Sequence, residues 1–193
     1  IFLSHAKEDG TVPAKRLRDY IYSQTQMAAF YDENDIPTSS TFARVLDHAL
    51  REEETAALVA VRSARYASRP WCRREIALFR RPRLEAPEKG RQSQHWRLSP
   101  TLVVEAMDGG KHTWGIPELG NAPVIGWESG ETAGHEERVV TTLLRDVLLA
   151  AYHRAVGCTI TDRPGQVILN WAPDPITLLG IPELRSREGR TVF

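Results

Sequence analysis

Residues 56–61 read Ala-Ala-Leu-Val-Ala-Val, six apolar residues with no polar break. A strand without a polar face is buried on both sides, as central strands of parallel sheets are. Such a sheet needs helices on both faces, and the flanking sequence offers them. Upstream, Phe42, Val45, Leu46, Ala49 and Leu50 recur at i, i+3, i+4, i+7 and i+8, an amphipathic helix with Ser40 as its N-cap. Downstream, Ser68 and Pro70 open a helix running to about Phe79. Further out, 1–4 and 27–31 read as strands. Between them a helix starts near Asp9-Gly10-Thr11, with Pro13 in its first turn and Val12, Leu17, Tyr20 and Ile21 on its buried face.

The second half continues the alternation. Strands are expected over 102–106 and 124–127, with a glycine-rich loop at 108–115 between them. A long helix over 136–156 places Val140, Leu143, Leu144, Val147, Leu148 and Ala151 on one face. Residues 80–100 are rich in Arg, Pro, Gln and Glu and read as a long exposed connection, with Trp96 its one large apolar residue. Five strands with helical crossovers predict an α/β chain with a doubly wound parallel sheet of order 2-1-3-4-5. The main domain is expected over 1–157. The 36 residues from 158 to 193 fall below the roughly 40 that hold a core unaided. That tail either packs on the main domain or opens a second one, and the second is the expectation.

Composition narrows the function classes. Lys+Arg and Asp+Glu each number 25, and zero net charge argues against a nucleic-acid partner. No apolar run approaches the roughly 18 residues of a membrane span. Two cysteines, Cys72 and Cys158, cannot build a disulfide framework, so a reducing cytoplasmic location is expected. A chain that opens on Ile1 is expected to have a preceding segment.

In a doubly wound sheet, ligands bind at the carboxyl ends of the strands, where the strand order reverses. That rule selects Ser4-His5-Ala6-Lys7, Arg62-Ser63 with the following helix, and the 32–40 loop. Several chemistries fail there. A phosphoacceptor receiver needs acidic strand ends, and a dinucleotide fold needs G-x-G-x-x-G after a strand. Neither pattern is present, nor is a P-loop. The six histidines and two cysteines have no metal-ligand spacing, so no metal is expected. Cys72 stands near a helix start, where a thiol pKa can fall, but a buried packing role is the favoured reading. His5 suits a general base or a structural hydrogen bond equally well. Glu75 follows Trp71 by four residues, so both project from one face of the helix beside the crevice.

Taken together, these segments resemble a Toll/interleukin-1 receptor (TIR) domain of the bacterial type. Ile1-Phe2-Leu3-Ser4-His5-Ala6 with Glu8-Asp9 resembles the family's first box. Phe30-Tyr31-Asp32 through Ser40 resembles the second strand and the BB loop, with Ile36-Pro37 at its tip. Ser63, Tyr66, Trp71-Cys72 and Glu75 stand at the spacing of the pattern S-x-x-Y-x-x-S-x-W-C-x-x-E, with Ser68 one position before its second serine. The match covers residues 1 to about 80.

The resemblance implies a flavodoxin-like five-stranded fold and two activities. One is NAD⁺ glycohydrolase chemistry, with nicotinamide released and ADP-ribose or a cyclic isomer formed, activated by self-assembly in bacterial defence or signalling. The other is a non-catalytic scaffold working through homotypic TIR–TIR contacts. In the enzymatic reading NAD⁺ is substrate and no cofactor is used. Glu75 is the catalytic residue, and Trp71, Ser4, His5, Ala6, Lys7 and Asp35 edge the substrate site. Asp32, Glu33, Asn34, Ile36 and Pro37 form the BB-loop assembly surface. The presence of the helix acid favours the enzyme. The chain beyond Gly157 is expected to take no part in the chemistry.

Overall fold

A computed structural model of the protein describes residues 1–31, 55–86, 90, 92–106, 115–127, 134–157, 159 and 163–185. The expected helix over 40–50, the BB-loop residues Asp32, Glu33, Asn34, Asp35, Ile36 and Pro37, and most of the glycine-rich loop lie outside the described residues. In chain order the elements are β1 (Phe2–His5), α1 (Thr11–Gln24), β2 (Phe30–Tyr31), β3 (Leu58–Arg62) and α2 (Pro70–Phe79). Then come β4 (Arg83–Leu84), β5 (Gln94–Arg97), β6 (Thr101–Ala106), β7 (Val124–Trp127) and α3 (His135–Gly157). The last are β8 (Val167–Leu169), α4 (Pro175–Leu179) and α5 (Pro182–Arg185).

Five strands form one sheet in the order β2-β1-β3-β6-β7, every neighbouring pair parallel. Strand β3 lies at its centre, with Val59 opposite Leu3 on one side and Leu102 on the other. Alternation along the strands divides the core in two. Leu3, Val59, Val61, Leu102 and Val104 face one way, against Ala14, Leu17 and Ile21 of α1 and Val139, Val140 and Leu143 of α3. Phe2, Leu58, Ala60 and Val103 face the other way, against Tyr66 and against Cys72, Ile76 and Phe79 of α2. Each fully buried Leu or Ile contributes about 1.5–3 kcal/mol relative to exposure. The β1-to-α1 corner needs glycine: a Cβ on Gly10 would stand 2.9 Å from the Ala6 carbonyl oxygen.

Three helical and strand expectations shift in detail. The second strand is shorter than 27–31, because only Phe30 and Tyr31 pair with β1. Val12 of α1 is exposed, and Ala14 takes the buried position. On α3 the buried line is Val139, Val140, Leu143, Asp146 and Ala150, so Leu144, Leu148 and Ala151 face outward. That helix is apolar on more than one side, so its periodicity admits two frames, and contact with the sheet selects one.

The 80–100 segment is not an exposed connection. It carries β4 and β5, which join β8 in a second sheet of order β4-β5-β8. Trp96 is buried there, and Asn170 extends the pairing with its side-chain amide. Its Oδ1 accepts from the Leu98 N–H at 2.7 Å and its Nδ2 donates to the Leu98 carbonyl at 3.0 Å.

Residues 163–185 therefore pack back on the rest of the chain, with Ile181 fully buried. Asp174 caps α4 by accepting from the Thr177 N–H at 2.8 Å, and its other oxygen pairs with Arg80 at the end of α2. Gly120, with φ +55°, leaves room for that carboxylate, since a Cβ there would meet Asp174 Oδ2 at 2.6 Å.

Candidate functional site

The strand order β2-β1-β3 puts the expected site where β1 and β3 leave the sheet. Asp9, just after β1, ties the two exits together. Its carboxylate accepts from Ser63 Oγ at 2.6 Å and from the Arg65 N–H at 2.8 Å, both in the loop after β3. Glu8 is paired with Arg69 on the exposed rim, where an ion pair contributes little to stability. The loops are thus held at one spacing, and α2 starts beside them with Pro70 in its first turn.

Strand alternation then sorts the candidate residues. Ser4 is buried on the face that α2 covers. Its hydroxyl lies 2.7 Å from the Tyr66 phenol oxygen and donates to Glu75 Oε2 at 2.5 Å. Glu75 is half-buried, so its carboxylate is anchored by the protein yet reachable. His5 is buried on the opposite face, turned toward the start of α1: its Cβ is 3.3 Å from where a Cβ on Gly10 would stand. Ala6 is buried in the core on the α2 side, and Lys7 is exposed. The structure therefore brings Ser4 and Glu75 together and turns His5 away from them.

Trp71 lies one turn before Glu75 and is 46% exposed, with the Arg74 guanidinium 5.2 Å from its ring centre. A large aromatic surface left in solvent beside an anchored carboxylate suits a ring-bearing ligand. Tyr66 is the residue that sequence reasoning passed over. It was counted as part of a motif, while its fully buried ring and hydroxyl contact to Ser4 make it part of the site. The available signal was a lone aromatic in a short turn of Ser, Ala and Arg, because such a ring is the segment's one large group to bury and a buried Tyr hydroxyl needs a partner.

Cys72 is buried under the same helix, its sulfur 3.5 Å from the His5 carbonyl oxygen. Burial foremost, and then the neighbouring Glu75, push its thiol up to about 12. A thiol that stays protonated is a poor nucleophile, which fits the packing role. Iodoacetamide at pH 8 should leave Cys72 unmodified in the native protein and alkylate it after unfolding, as peptide mass mapping will show. Modification of Cys72 in the folded state would contradict this.

Among the described residues no group of three or more His, Cys, Asp or Glu side chains is placed to hold a metal ion. None of the described helices is long and apolar enough to cross a membrane. Two cavities lie away from Glu75, toward the amino ends of the strands. One of about 190 Å³ is lined by Arg80, Thr101, Asn121 and Trp171. The other, of about 360 Å³, lies between the 97–100 segment and α3.

Comparison with curated proteins finds no match. The family profile described as TIR domain matches residues 1–102, more than half of the chain, and spans β1 through the start of β6. With the five-stranded parallel sheet, that match identifies the chain as a member of the TIR domain family.

Proposed function

We propose that this TIR domain cleaves the nicotinamide–ribose bond of NAD⁺, with Glu75 as its catalytic carboxylate. The observation that carries the reading is the Ser4–Glu75 contact of 2.5 Å at the carboxyl end of β1, which fixes a reachable carboxylate at the crevice. In NAD⁺ the nicotinamide nitrogen is already cationic, so nicotinamide leaves as a neutral base and takes the bonding pair with it. No general acid is needed. Positive charge develops at the ribose carbon, and a carboxylate beside the ribose stabilises it. Ordinary glycosidases need a second carboxyl group to protonate the leaving oxygen, and this reaction does not. Water then adds to give ADP-ribose, or a nucleophile within the same molecule closes a ring.

Trp71 provides a surface for a ring of the dinucleotide. Trp71→Ala should raise KM for NAD⁺ more than it lowers kcat. Its half-exposed side chain gives a smaller stability loss than the 3–5 kcal/mol typical of a buried Trp. Activity is also proposed to rise with self-association, since Ile36-Pro37 places an apolar pair within an otherwise polar segment. The test is nicotinamide release from NAD⁺ across a protein concentration series. Release that rises faster than protein concentration, and falls in Ile36→Asp, supports both statements. Specific activity independent of concentration and of that substitution overturns the assembly requirement.

A second reading, a scaffold working by TIR–TIR contact, is favoured by one feature. Leu144, Leu148, Leu149, Tyr152 and Val156 lie on one side of α3 and are exposed. An apolar stripe of this kind suits contact with another chain. A protein that associates through it and releases no nicotinamide would be a scaffold.

A further inference from the structure

We propose that Tyr66 is a positioning residue for Glu75, acting through Ser4 in a hydroxyl chain of fixed direction. The kinetic part of this inference rests on the NAD⁺-cleavage reading. The chain itself rests on proton counting. Each hydroxyl carries one proton, and a carboxylate carries none. Ser4 Oγ lies 2.5 Å from Glu75 Oε2 and 2.7 Å from the Tyr66 oxygen. Facing a carboxylate, Ser4 must give its proton to Glu75. Its oxygen then becomes an acceptor, and the proton of the second contact must come from Tyr66.

Tyr66 is fully buried, so solvent offers its hydroxyl no alternative. Burial foremost, and then the adjacent Cys72 and Glu75, raise the phenol well above its ordinary value against the opposing pull of the Ser4 hydrogen bond. The group therefore remains a donor through the neutral range. Hydrogen bonds in such a chain polarise one another.

The consequence falls on the carboxylate. A glutamate side chain on a helix surface has three torsions to sample, and a reacting group must be held within about 0.5 Å of its productive position. Ser4 restrains one carboxylate oxygen, and Tyr66 restrains Ser4. Without the phenol hydroxyl, Ser4 keeps its bond to Glu75 but loses the second contact that fixes its rotamer, so Glu75 is held less firmly while keeping its charge.

Four proteins test this: the wild type, Ser4→Ala, Tyr66→Phe and the double variant. Steady-state NAD⁺ cleavage should show kcat lowered about tenfold in each single variant with KM within about twofold. The double variant should be no slower than Ser4→Ala, because Tyr66 acts only through Ser4. Thermal unfolding gives a readout that needs no activity. Ser4→Ala strands a buried phenol hydroxyl, so adding Tyr66→Phe should raise Tm by about 2–4 °C over Ser4→Ala alone.

Multiplicative losses in kcat, or an effect on KM alone, would overturn the positioning role. A double variant that melts below Ser4→Ala would overturn the hydroxyl chain. An inactive wild type overturns the reaction and the positioning role with it, while the melting order still decides whether the chain exists.

Discussion

Glu75→Gln should lower the rate of nicotinamide release by about 100-fold or more. The amide matches the carboxylate in size, and its oxygen still accepts from Ser4, so what is lost is the negative charge. In the proposed reaction that charge stabilises the ribosyl cation. Glu75 is half-buried and makes no part of either core cluster, so Tm should move by no more than about 1–2 °C. Glu75→Ala should lose the same activity while also releasing Ser4. Its proton can then turn toward Tyr66, so the two buried hydroxyls still satisfy each other. A Gln variant with a native melting profile and near-normal turnover would exclude Glu75 as the charge that matters.

The second large effect is on stability, at the far end of the same helix. Asp174 is 3% exposed and meets Arg80, the Thr177 N–H and the Thr177 hydroxyl. Asp174→Ala leaves the mostly buried guanidinium of Arg80 without its counter-charge. Breaking such a pair costs about 3 kcal/mol or more, a fall in Tm of about 6–12 °C for a chain of this size.

Burial opposes ionisation of Asp174, but the Thr177 amide and then Arg80 outweigh it and hold the carboxyl below its ordinary value of 3.8. A carboxyl lowered in the folded state stabilises fully above its unfolded pKa and loses that contribution as pH falls through the folded value. Wild-type Tm should therefore drop more steeply below about pH 4 than that of Asp174→Asn. Parallel curves for the two proteins would show that the pair carries no pH-dependent stability.

The same contacts bear on the tail. Ending the chain at Gly157 removes β8 from β5, strips Arg80 of its partner and takes away the buried Ile181. The shortened protein should melt well below the full chain, so dispensability for chemistry has to be judged at a temperature where it remains folded.

How much of this was legible in the sequence follows from the range of the interactions. The central strands were legible because Leu58, Val59, Ala60 and Val61 are buried on both faces and need no partner to be recognised. The Ser4–Glu75 neighbourhood was legible at the level of elements, because the strand order that sets β1 beside β3 fixes which strand ends meet. Its atomic form was not. Ser4, Tyr66 and Glu75 are joined by hydroxyl contacts across 62 and 71 residues, and no local pattern encodes such contacts.

His5 looked equivalent to Ser4 as a site residue, yet strand alternation turns adjacent side chains to opposite faces. Strand β5 was hidden for a similar reason. Gln94, His95, Trp96 and Arg97 carry a single large apolar residue, and apart from the two-residue β4 their pairing comes from Val167–Leu169. Residue-level periodicity cannot register a partner 73 positions away.

On the proposed mechanism a single anchored carboxylate, beside the carboxyl ends of β1 and β3, breaks the nicotinamide–ribose bond. Its most direct test is nicotinamide release from NAD⁺, followed by chromatography, for wild type and Glu75→Gln side by side at one high protein concentration. The wild type should give stoichiometric nicotinamide and an ADP-ribosyl product, with release at least about 100-fold slower from the variant. Equal release by the two proteins, or none from a folded and self-associated wild type, would contradict it.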